Sequence, residues 1–108
     1  MPSESQSARE QGFAILEQIH SIGLPTKENI EQISALVDQL QIVAPHFHVA
    51  DQQGCVHMAE IIARIKDSIE REGEVPVKLF AELNRKYIML KTGLQQHSLE
   101  DEMRLAKV

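Results

Sequence analysis

Apolar residues recur at steps of three and four along almost the whole of this 108-residue chain, and no Val/Ile/Thr run alternates at steps of two. A step of three or four keeps one face of an α-helix apolar, whereas a half-buried strand repeats every second residue. The pattern therefore predicts an all-α fold. Ala8, Gly12, Ile15, Ile19 and Ile22 form the first stripe, widened by Phe13 and Leu16. Gly23 suits a left-handed residue just past a helix end, and Pro25 cannot continue the helix.

Thr26 stands where a cap belongs, with Glu28 and Glu31 following in the region where the helix dipole favours negative charge. Ile30, Ile33, Val37, Leu40 and Ala44 make the second stripe, with Leu36 and Val43 beside it. Pro45 is expected to end that helix, because a proline pushes the preceding residue out of the α region. Asp51 is the expected cap of the third helix, whose stripe is Cys55, Met58, Ile62, Ile65 and Ile69 up to Gly73. Pro76 opens the fourth, with Phe80, Leu83, Tyr87, Leu90 and Leu94 inward and Gly93 read as weakening or ending it. "SLEDEMRLAKV" reads as a short last helix capped by Ser98, with acids early and Arg104 and Lys107 late.

The expected architecture is an antiparallel helical bundle of four main helices, about 5–22, 26–44, 51–72 and 76–93, plus a short C-terminal helix over 98–106. Short Gly/Pro connections between helices of similar length favour antiparallel neighbours. Residues 1–108 form one domain, with residues 1–5 expected to fray. With 4% aromatic residues and no Trp, the core must rest on Ile, Leu, Val, Ala and Met. A chain this short buries roughly two-thirds of its unfolded surface, so self-association would add to a modest stability margin.

The formal net charge of -5 disfavours broad attraction to phosphate backbones or anionic membranes. Residues 1–75 carry 5 basic and 12 acidic side chains, a balance of -7; residues 76–108 carry 6 and 4, a balance of +2. The lone Cys55 can form no internal disulfide, which fits a reducing compartment. The polar start "MPSESQSARE" is unlike a signal peptide, and no apolar run approaches the ~18 residues of a membrane span. A cytoplasmic protein is the expectation.

Chemistry-bearing residues concentrate in "PHFHVADQQGCVHMAE", residues 45–60. His46 and His48 would share one side of an extended segment after Pro45. His57 and Glu60 share a helical face, while Cys55 and His57 point about 160° apart. A divalent transition metal such as zinc or nickel would find ligands if His46, His48 and His57 met Asp51 or Glu60. Against this, no CxxC or HExxH spacing occurs, and Cys55 occupies a core position of its stripe. No nucleophile elbow or glycine-rich loop is present, so enzymatic activity is not expected.

Two further classes meet at the fourth helix. Lys78 and Arg85, seven apart, with Lys86 and Lys91 nearby, would be the residues of a nucleic-acid contact. Glu82, four residues from both Lys78 and Lys86, makes a solvated, salt-linked face the simpler account, and no aromatic platform accompanies it. Val77, Leu79, Ile88 and Met89 lie alongside the stripe, so the helix is apolar round much of its circumference. Such a helix is central in a bundle or pressed against another chain. The leading expectation is a small regulatory protein of antiactivator or adaptor type, dimeric, binding another protein through Lys78, Leu79, Arg85, Ile88, Met89 and Met103. A metal- or small-ligand-binding module built on His46, His48 and His57 is the alternative, and a nucleic-acid-binding regulator the second.

Overall fold

The fold is known from a computed structural model that describes the backbone of residues 4–106 and the side chains of residues 7–96. Helix α1 spans Glu4–Ile22, α2 Ile30–Val43, α3 Val49–Glu72 and α4 Val77–Ala106, with a 3-10 turn at Ala44–His46. No strand occurs among the described residues. Each helix packs on its neighbour in sequence and α4 closes the ring on α1, while among the described residues the diagonal pairs α1–α3 and α2–α4 make no comparable contact. The result is an antiparallel four-helix bundle. Gln41 donates to the Cys55 carbonyl and Lys66 reaches Glu31, so α2 and α3 run in opposite directions.

The stripes point inward as their spacing requires. Leu16, Ile33, Leu40, Met58 and Ile65 are fully buried, one or more from each of the first three helices. Leu83, Tyr87, Leu90 and Leu94 complete the core from α4. Each buried aliphatic side chain is worth roughly 1.5–3 kcal/mol over its exposed state. Gly23 and Gly73 take positive φ of 84° and 78°, the left-handed turns that end α1 and α3. Gly73 donates its N–H to the Ile69 carbonyl at 2.9 Å, which closes the last turn of α3.

Several expected boundaries move. The fourth helix does not stop near Gly93, and the separate 98–106 helix does not exist: α4 is continuous from Val77 to Ala106. A glycine inside a helix costs about 1 kcal/mol relative to alanine, but here it admits a close approach. A methyl group on Gly93 would strike the Asp51 carboxylate. Asp51 itself is not the cap of α3. His48 occupies that place, with the Gln52 N–H bonded to its carbonyl at 2.9 Å, and Asp51 is buried at 6% exposure one turn further in.

Thr26 does organise the entry to α2, but one turn ahead of the regular helix. Its N–H donates to Asn29 Oδ1 at 2.6 Å while its hydroxyl accepts from the Asn29 N–H at 3.3 Å. That reciprocal pair is a capping box with Asn in the acidic position. α2 ends at Val43, just ahead of Pro45 as expected, but Ala44 keeps right-handed helical angles and Pro45 sits in the 3-10 turn, where its missing N–H is harmless at a first-turn position. The expected frayed start, residues 1–5, lies outside the described residues except for Glu4 and Ser5, which already belong to α1. The side chain of Ser98 lies outside them as well.

Candidate functional site

On α4 the side chains of Leu83, Tyr87, Leu90 and Leu94 fill the inward face. The opposite face carries what the core leaves over. Val77 is 84% exposed, Ile88 60% and Met89 56%, with Lys78, Ala81, Asn84 and Arg85 exposed among them. The apolar surplus of α4 is therefore surface and not core, so α4 is not a central helix. Leu79 alone of the apolar surplus turns inward, partly buried against the core. Met103 belongs to the last turns of α4, and its side chain lies outside the described residues.

Beside this face, between α1 and α4, lies an open pocket of about 180 Å³ walled by Ile19, Phe80, Leu83 and Tyr87 and bordered by His20 and Asn84. A polar cluster locks the two helices just above it. The His20 ring stacks on Tyr87 with centroids 4.7 Å apart and planes 9° from parallel. Tyr87 donates its hydroxyl proton to Glu17 Oε1 at 3.0 Å, and Lys91 Nζ meets the same oxygen at 2.9 Å. Lys91 also lies 5.5 Å from the centre of the Phe13 ring and 5.8 Å from that of Tyr87, within cation–π range.

These contacts set the titration of the cluster. The hydrogen bond from Lys91, then that from Tyr87, holds the Glu17 carboxyl below its ordinary value. The same Glu17 contact raises the Lys91 ammonium. Tyr87 is raised first by burial and then by its bond to Glu17. Sequence reading had no hold on this cluster. Glu17 and His20 are three apart and Tyr87 and Lys91 four apart, so each pair is legible on its own helix. What joins them is the closure of α4 onto α1.

The backbone of the 45–60 stretch departs from the extended segment expected after Pro45. His46 ends the 3-10 turn, so only Phe47 and His48 are extended and the expected shared side is lost. His46 and His57 are exposed and His48 is half-buried at the cap of α3. Among the described residues no group of three His, Cys, Asp or Glu side chains could hold a metal ion. Cys55 is fully buried, and burial, with the Asp51 charge adding, pushes its thiol up to about 12. It is a protonated core residue at neutral pH, as its place in the stripe implies. Among the described residues no helix is long and apolar enough to cross a membrane. No protein-family model, curated protein or solved structure matches this chain.

Proposed function

We propose that this chain is a cytoplasmic regulatory protein of antiactivator or adaptor type, acting as a homodimer that binds another protein through the outward side of α4. The observation that supports this reading is the exposure of Val77, Ile88 and Met89 on a helix whose core stripe is already complete. Val77, Ala81 and Ile88 follow one exposed line along α4, broken by Asn84, and such an exposed apolar line suits a protein-binding surface. Lys78 and Arg85 stand among them and suit a partner whose contact surface is acidic. The pocket at Phe80 and Tyr87 offers a recess beside the ridge for one apolar anchor of that partner. Leu79 packs partly buried against the core on the other side of α4, and Met103, in the last turns of the helix, completes the proposed set.

The test is affinity purification of the chain from its native cell beside the Ile88→Asp variant. Ile88 is 60% exposed, so the variant keeps its helicity and its melting curve. The expected result is a stoichiometric protein captured by the wild type and lost from Ile88→Asp. Capture of the same protein by both would remove α4 from the contact, and an unfolded variant would return Ile88 to the core.

A further inference from the structure

We infer that a second copy of this chain covers the face formed by α3 and α4 together, through a two-fold axis parallel to the bundle. Glu60, Arg64 and Asp67 follow one another on α3 at steps of four and three. Lys78, Glu82, Arg85 and Met89 do so on α4 at steps of four, three and four. Each set is therefore one line along its helix. At 100° per residue, the α4 line lies about 150° round from Lys91, the residue that faces α1. The α3 line lies about 130° round from Lys66, which faces α2. The α4 line thus faces the side that α3 and α4 share, and the α3 line runs along the outer edge of that side. All seven side chains are exposed apart from the half-buried Glu82.

The heights of the two lines are fixed by the packing of α3 on α4. Gly54 lies against Leu90 and Asp51 against Gly93, residue numbers that add to 144 in both cases. A two-fold axis parallel to the helices preserves height and sets α3 of one copy opposite α4 of the other, antiparallel to it. Residues that add to about 144 then stand level across the interface. Glu60 with Arg85 and Asp67 with Lys78 add to 145, and Arg64 with Glu82 to 146. One step in that sum is about 1.5 Å of height. The signs oppose in all three pairs, and the symmetry makes each pair twice. Met89 stands level with His57 at the end of the ladder. Within one chain none of the three pairs is made; Asp67 alone has an ion pair, with its neighbour Arg71.

This inference deepens the reading above, since it takes up that reading's homodimer and divides the surface of α4. Lys78, Arg85 and Met89, given above to the other protein, go instead to a second copy, and Val77, Ile88 and the α1–α4 pocket remain for that protein. The dimer is read by mass alone, so its failure is distinguishable from the absence of a protein partner. Two variants test it by light scattering at low salt: Lys78→Glu with Arg85→Glu, and Glu60→Lys with Asp67→Lys. The wild type is expected at twice the 12.2 kDa chain mass. Each variant alone places like charges opposite one another at both contacts and is expected at the single-chain mass. Mixed in equal amounts, they oppose acidic to basic lines at both contacts, and the doubled mass returns as a heterodimer. Circular dichroism verifies that each variant is helical; should either unfold, the single changes Arg85→Glu and Glu60→Lys give the same mixing test. A monomeric wild type, variants that stay dimeric, or a mixture that stays monomeric would each overturn the inference.

Discussion

Gly93 shows how a residue's meaning depends on what lies across from it. By helix propensity alone, Gly93→Ala should stabilise α4 by about 1 kcal/mol. The new methyl group would meet the buried Asp51 carboxylate, and overpacking of this kind costs roughly 1–3 kcal/mol. Gly93→Ala is therefore expected to lower the urea midpoint, and a raised midpoint would show that α3 and α4 do not approach there as described. Gly12→Ala should behave alike, since its methyl would lie 2.5 Å from the Phe47 ring, whereas at Gly54 the methyl would meet the Leu90 side chain at 2.8 Å, the widest of the three approaches, and should be tolerated best. From sequence Gly93 reads as a helix breaker because propensity is local information. Its reason is a side chain on another helix. Cys55, by contrast, was legible as core from its place in a three-and-four stripe.

Helix interiors were readable and helix ends less so, because interiors repeat a period while ends depend on single hydrogen bonds. Thr26 drew attention as a cap, but its reciprocal bonds with Asn29 set the regular helix one turn later. Thr26→Ala is expected to cost about 1 kcal/mol in chemical denaturation. Asn29→Ala should cost more, since the Asn29 amide also donates to the Leu24 carbonyl at 3.0 Å. Between α1 and α4 the Glu17–Tyr87–Lys91 cluster gives stability a pH dependence of defined sign. The Glu17 carboxyl is held below its ordinary 4.5, so its contribution is whole above that value and is lost as pH falls through the depressed one. Lys91 is raised above 10.5, so its share is whole below that value and fades as pH climbs through the raised one. Thermal melts of Glu17→Gln across acidic pH should therefore be flatter than those of the wild type. Parallel curves would remove Glu17 from the account.

At the scale of the whole molecule, the four-helix architecture was legible because short Gly/Pro joints leave consecutive helices little choice but to pack as antiparallel neighbours. The chain extends 56 Å along the bundle and 22 × 20 Å across it, so most of its surface is helix flank. The candidate site was legible only in part. The surplus apolar residues of α4 stood out, but their exposure depended on which face α3 and α1 would cover. The acidic first 75 residues and basic remainder look like two regions of one chain; folding lays them side by side as outward lines on α3 and α4. If a second copy meets those lines, the melting temperature should rise with protein concentration, by mass action, and the Lys78→Glu with Arg85→Glu variant should melt at one temperature throughout. A wild-type melt independent of concentration would speak against the pairing. The buried thiol of Cys55 has a practical corollary. Thiol-directed probes attack the thiolate and need access to it, and Cys55 offers neither. The native chain is thus chemically silent to maleimides, and one cysteine introduced at Ile88 or Glu82 becomes a unique address for a spin label or fluorophore, from which distances between copies can be read without removing any natural residue of the core.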